Sequence, residues 1–286
     1  MKQLMKRDRL GLMVGFLPAL SMAALLLWEY LKPEATPASA MVAEVLAFGV
    51  PMVLLLVMRS VSRQKTPLRL GPFRRQALPF VIWASAAVSL LSVLLNYSVV
   101  LLGGSYASAS GGLEGSLLSM LAAVAIVPAL LEELFFRSAF LSAVESAGTG
   151  PAIMLSALCF AFAHGSLQAL PSALAAGLVY GWLAYGLDSV WAAVLAHLLN
   201  NAFSLLVSYG ASASVELGFW RYFLLAALLG FCLFLALSMG ALERLLNKGR
   251  IKRFKSGGTL AALLGLAASP GPWLLVLMFL IKVFYL

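Results

Sequence analysis

The chain has 286 residues, 62% of them hydrophobic and only 11% charged, with a mean hydropathy of +0.98. This composition excludes an ordinary soluble domain and describes an all-α, polytopic transmembrane helical bundle with no room for a separate soluble catalytic module. The net charge of +9 does not indicate nucleic-acid binding, because most of the basic residues fall in three short segments between apolar runs. These are Lys2, Lys6, Arg7 and Arg9; then Arg59, Arg63, Lys65, Arg69, Arg74 and Arg75; then Arg244, Lys248, Arg250, Lys252, Arg253 and Lys255. Such clustering is the positive-inside pattern, with attraction to anionic lipid headgroups as a second benefit.

In chain order, apolar runs predict spans at about 10–31, 40–58, 77–102, 114–141, 151–170, 172–187, 189–209, 219–243 and 259–286, a bundle of eight or nine helices. The first run is preceded by basic residues and followed by Ala38-Ser39-Ala40, as in a signal peptide. It is too long for a signal h-region and reads as an uncleaved span. The last is interrupted by Ser269-Pro270-Gly271-Pro272 and reads as a broken helix or a shorter helix with a re-entrant piece. With the N-terminus inside, the basic loops 59–75 and 244–255 both fall inside, and the loop 103–113, which has no basic residue, falls outside. The organisation expected is one integral-membrane domain. It comprises N-terminal spans over 1–113, a chemistry-bearing core over 114–210 and C-terminal spans over 211–286. Cys159 and Cys232 read as small packing residues. Trp83, Trp182, Trp191 and Trp220 read as packing or interfacial residues, and Phe135 and Phe136 as packing.

Residues 130–141, LLEELFFRSAFL, carry three charges within an apolar run, where each costs at least ~2.5–3.5 kcal/mol at mid-bilayer. On a helix Glu133 and Arg137 are four apart and about 40° apart around the axis, so they can pair. Glu132 is about 140° from Arg137 and points elsewhere. The bland reading of the trio is a helix-end salt bridge with a snorkelling arginine, which leaves the second glutamate unexplained. Both histidines also lie in apolar runs: His164 follows Phe160 by four residues, and His197 precedes Asn201 by four, sharing its helix face. Asn200 is rotated about 100° from Asn201 and is expected to face elsewhere. Either histidine alone fits hydrogen-bonded packing. Two histidines, two glutamates and an asparagine on three spans together point to a polar cavity. A buried carboxylate and an imidazole can activate water and protonate a leaving amine, and an imidazole with a carboxamide can hold an oxyanion. Those are the parts of peptide hydrolysis. Measured from the predicted inner span ends, Glu132 and His197 lie at about 12–14 Å and His164 at about 20 Å, which requires a deeper or tilted fifth span. The expectation is a cavity that opens to the cytoplasmic side.

Glu132-Glu133-Leu134-Phe135-Phe136-Arg137, Phe160-Ala161-Phe162-Ala163-His164 and His197-Leu198-Leu199-Asn200-Asn201 resemble, in order, the EExxxR, FxxxH and HxxxN motifs of the CAAX prenyl protease and bacteriocin-processing (CPBP) family of intramembrane proteases. The resemblance covers residues 132 to 201. It implies that Glu132 is the base, that His164 shares the proton transfers, and that Glu133, held by Arg137, orients His164 or the water. His197 and Asn201 would form the oxyanion site, with Phe160 and Arg137 as supports and no covalent acyl-enzyme. No cofactor is favoured. Zinc, ligated by Glu132, His164 and His197, is the alternative, disfavoured because the HExxH spacing is absent and asparagine is a poor ligand. The expected partners are membrane lipids and a membrane-associated protein or peptide, prenylated or carrying a C-terminal sorting tail, with no nucleic acid. The expected location is a bacterial inner membrane. A serine protease of the rhomboid kind would need a nucleophile motif that Gly103-Gly104-Ser105-Tyr106 does not supply. A presenilin-like enzyme would need two intramembrane aspartates, whereas Asp8 and Asp188 lie at span ends. The alternatives outside hydrolysis are a non-catalytic scaffold or bacteriocin-immunity protein and, with less support, a proton-coupled transporter, for which no inverted repeat is evident.

Overall fold

The computed structural model describes residues 2–31, 35–61, 67–103, 113–212, 217–252, 254 and 270–285. Arg63, Lys65, most of the loop 103–113, Arg253, Lys255 and residues 259–269 of the last expected span lie outside the described residues, as do the side chains of Lys2, Lys6, Arg7, Arg9 and Trp220. The described residues form helices and no strands: α1 (Lys2–Leu31), α2 (Pro37–Val61), α3 (Leu78–Leu101), α4 (Leu117–Val144), α5 (Thr149–Ala163), α6 (Leu170–Gly186), α7 (Val190–Ser212), α8 (Leu217–Asn247) and α9 (Pro270–Tyr285). Among them, α2, α3, α4, α7 and α8 contain segments long and apolar enough to cross a membrane. The fold is the expected polytopic helical bundle. The fourth helix runs three residues past the predicted end. Pro270 and Pro272 begin α9 rather than break it, since the first helical turn needs no proline N–H.

Successive helices alternate in direction. Trp83 stacks on Phe234 at 5.6 Å and Leu90 lies beside Gly230, so α3 and α8 are antiparallel. Gly15 lies against Gly271 and Glu29 bonds Lys282, so α1 and α9 are parallel. One face of the bundle therefore gathers the basic segments at 59–75 and 244–252, and the other gathers the ends near residues 31–37, 101–117 and 163–170.

Three wide π-type turns interrupt the described helices: Val45–Gly49 in α2, and Leu121–Ile126 and Leu134–Phe140 in α4. The first two have a cause in the sequence. Pro51 and Pro128 each follow a π turn by two residues. A proline ring crowds the carbonyl four residues back and offers it no N–H, and widening the turn relieves the clash.

On the basic face, residues 67–71 form a strap across α4 and α7. Their five consecutive carbonyls are all taken: Pro67 by Ser142 Oγ at 2.6 Å, Leu68 by Ser138 Oγ, Arg69 by the Val190 N–H at 2.8 Å, Leu70 by Trp191 Nε1 at 2.8 Å and Gly71 by Ser189 Oγ at 2.6 Å. Arg69, with φ of 51°, reaches back to Glu145 at 2.5 Å and Asp188 at 3.4 Å and lies 5.3 Å from the Tyr185 ring. Arg59 is also buried, its guanidinium donating to the Ala143 carbonyl. Two arginines of the basic segment 59–75 are thus structural. The strap sets the register of α4 against α7, the helices that carry the glutamates and the HxxxN residues. Replacing Arg69 by Ala removes its ion pair with Glu145. It is expected to cost about 3 kcal/mol, the lower end for a broken buried pair because Asp188 is exposed. Thermal unfolding in detergent checks this, and a loss under about 1 kcal/mol would mean the carbonyl bonds alone hold the strap.

Candidate active site

Glu132 and Glu133 are the last residues of the regular helix before the Leu134–Phe140 π turn. Both are buried, at 6% and 0% exposure, and they diverge as the helical geometry predicts. Glu133 turns inward and is fully engaged. Its Oε2 lies 3.1 Å from Arg137 Nε, an ion pair in contact although the N–H is not aligned for a hydrogen bond. Its Oε1 is 2.9 Å from His197 Nδ1. The implied partner was His164 or a water, and the structure instead joins Glu133 to His197, because α7 rather than α5 passes beside this face of α4.

Arg137 is wholly buried. Its Nη2 donates to the Gly177 carbonyl at 3.2 Å, and its guanidinium carbon lies 4.2 Å from the Phe160 ring centroid, 5.6 Å from Phe136 and 5.7 Å from Tyr180. A charge caged by aromatic faces and a carbonyl is stabilised by cation–π attraction without water. Gly177 makes this approach possible, since a Cβ there would sit 3.1 Å from Ala157 Cα and 3.2 Å from Arg137 Nη2. Phe160 also separates the two imidazoles, its ring lying 4.7 Å from His164 and 5.6 Å from His197. Phe135 and Phe136 are buried among other rings, as packing residues.

His164 caps the C-terminus of α5, and Gly165 turns the chain with φ of +59°, a conformation glycine adopts without penalty. His164 Nδ1 lies 2.8 Å from the Phe160 carbonyl, which can only accept, so Nδ1 carries the hydrogen and Nε2 is left free. His197 Nδ1 is held by Glu133, which leaves its Nε2 free, and Tyr180 stacks on the ring at 5.0 Å. Asn201 Nδ2 donates to the Val124 carbonyl at 3.0 Å. That carbonyl is available because Pro128, four residues on, has no N–H to offer it.

Glu132, His164, His197, Asn200 and Asn201 line one cavity of about 380 Å³, far above the ~10–15 Å³ that one water needs. Glu132 Oε2 has no protein partner. Asn200, expected to face elsewhere, also lines the cavity, because the cavity is wide enough to span the faces of both asparagines. Sequence reading also passed over Glu44, Asn96, Ser172 and Tyr180, which line it from α2, α3 and α6. Each is a polar residue in an apolar run, the signal that singled out Glu132.

The expected opening toward the basic face is not what the structure has. The cavity is lined by Leu25, Trp28, Ala40, Asn96, Leu113 and Ala169, all at helix ends away from the basic segments. The reason is the length of α5. Its 15 residues rise about 22 Å, short of a ~30 Å hydrocarbon core. His164 therefore ends its helix below the opposite face and leaves a funnel above it. The longer α4, reaching Val144, places Glu132 about 18 Å from the basic end and removes most of the depth mismatch with His164.

Among the described residues, no group of three or more His, Cys, Asp or Glu side chains is placed to hold a metal ion. Comparisons with curated proteins and with solved structures gave no match. Residues 114–203 match a family model described as type II CAAX prenyl endopeptidase, Rce1-like. The matched segment contains α4 through the first half of α7, and so every residue of the three motifs. Carried on apolar helices and holding carboxylates, imidazoles and carboxamides around one cavity, this segment is similar to the Rce1-like type II CAAX prenyl endopeptidase family.

Proposed function

We propose that the protein hydrolyses a peptide bond of a membrane-associated protein or peptide with a glutamate-activated water and no metal. The observation that carries this reading is the division of labour between adjacent carboxylates: Glu133 is engaged by Arg137 and His197, while Glu132 faces the cavity with an oxygen unpartnered. Water placed between Glu132 and a scissile carbonyl loses its proton to the carboxylate as its oxygen attacks. His164 Nε2 relays protons within the cavity. Asn201 Nδ2, with one hydrogen on Val124 O and the second free, donates to the developing oxyanion, with His197 Nε2 beside it. Glu133 and Arg137 orient His197, and the Phe160 and Tyr180 rings exclude water from behind them. Similarity to a prenyl endopeptidase family makes a prenylated C-terminal tail the first substrate class to test, and a sorting tail the second. Nothing in the aromatic clusters argues for prenyl recognition.

The test is cleavage of a fluorophore–quencher peptide ending in a CAAX sequence, farnesylated or not, by the full chain in liposomes. Asn201→Ala is expected to lower kcat about 10²–10³-fold with little change in KM, the usual loss of one oxyanion donor. His164→Ala should also fall. If both retain wild-type rates, the assignment fails. Pro128→Ala probes the same contact from behind. It restores an N–H to Val124 O, competes with Asn201, and is expected to leave thermal stability equal or higher while lowering kcat about 10- to 100-fold.

A further inference from the structure

Glu44 lies outside the family-matched segment, on α2, where it closes the regular helix just before the Val45–Gly49 π turn. It lines the same cavity as Glu132, and each has one buried carboxyl oxygen without a protein partner. The segments of α2 and α4 that carry them pack against each other. The remaining charged groups around them are committed elsewhere: Glu133 to Arg137 and His197, Glu29 to Lys282, and His164 Nδ1 to a carbonyl. Tyr180, from α6, presents a hydroxyl with no hydrogen-bond partner among the described residues. Two carboxylates in one membrane cavity, neither ion-paired among the described residues, cannot both be ionised cheaply, and the low-energy arrangement is one proton between them.

We propose that Glu44 is a further catalytic residue, the proton-bearing partner of Glu132 that donates to the leaving nitrogen. This rests on the hydrolytic reading above. In the first step the water oxygen bonds to the carbonyl carbon and the water proton passes to Glu132. In the second the C–N bond breaks as the Glu44 proton passes to nitrogen, releasing an acid and an amine. The proton on Glu132 then returns to Glu44, through water or His164, and restores the starting state. The proposal accounts for an acidic residue in a span that the three motifs do not include.

The experiment has two arms, both on the full chain in liposomes. Infrared spectra at neutral pH should show a protonated-carboxyl C=O band in the wild type that Glu44→Gln removes. A band unchanged in Glu44→Gln overturns the proposal. In the peptide assay, Glu44→Gln should lower kcat about 10²-fold with KM unchanged, and should abolish the fall in kcat at alkaline pH, because that limb reports loss of the donated proton. Glu44→Asp should recover part of the rate and restore the limb. A Glu44→Gln enzyme that keeps the alkaline limb, or that changes KM alone, overturns the donor role and marks Glu44 as a contact for a cationic substrate group. Failure of the wild type to cleave the peptide would count against the hydrolytic reading, while the infrared arm would still decide whether the carboxyls share a proton.

Discussion

Glu132→Gln is expected to accumulate in the membrane at wild-type levels and to lose about 10²–10⁴-fold in kcat. The substitution keeps the volume and one oxygen of the side chain. Among the described residues it removes no ion pair, and its Oε2 has no hydrogen-bond partner to lose. What it removes is the basicity that takes a proton from water. Folding and chemistry therefore separate at this residue, and that separation distinguishes an enzyme from a scaffold. In a scaffold or immunity protein the variant would function normally. In an enzyme the variant binds the peptide with near-normal KM and turns over slowly. Thermal unfolding in detergent beside the peptide assay gives both readouts. A variant that is destabilised and inactive together would return Glu132 to a structural role.

Arg137→Met is expected to behave in the opposite way, with a loss of about 3–5 kcal/mol, the cost of breaking a buried pair and stranding its partner. Methionine fills much of the volume, so a cavity contributes little to that loss. The stranded group is Glu133, at 0% exposure, with only His197 left to it. The loss also removes the donor to Gly177 O and the charge over Phe160. Set against a total stability on the order of 5–15 kcal/mol, such a loss should lower the amount of protein recovered from membranes. Glu133→Gln in the same chain should restore part of the stability, because a neutral amide beside methionine strands no charge. Activity should not return with it, since His197 would lack its anionic anchor. If the double variant is less stable than Arg137→Met alone, the pair is not the source of the cost.

These two residues, five apart on one helix, illustrate what could be read from the linear chain. The helical period alone separated Glu133 from Glu132 and predicted the pairing with Arg137, because side chains four apart share a face and those five apart do not. The same local rules sufficed for the helical bundle, for alternation of the basic loops on one face, and for the shared face of His197 and Asn201. A membrane makes such rules strong: backbone groups must be satisfied within each segment, so an apolar run of sufficient length leaves few choices.

Contacts between helices were beyond that reach. Glu133 bonds His197 rather than His164 because α7 packs beside it, and no spacing in the sequence reports which helix is a neighbour. Glu44 and Tyr180 joined the cavity from helices with no motif of their own. Arg59 and Arg69 belong to a basic segment in the sequence, and only the structure shows them buried against Ala143 and Glu145. The direction of the cavity turned on α5 ending short of the opposite face, a difference of a few residues multiplied by the thickness of the bilayer. Periodicity along one helix is a local property, written in the order of residues. The meeting of side chains from α2, α4, α5, α6 and α7 is a property of how the helices pack, and only the tertiary structure decides it.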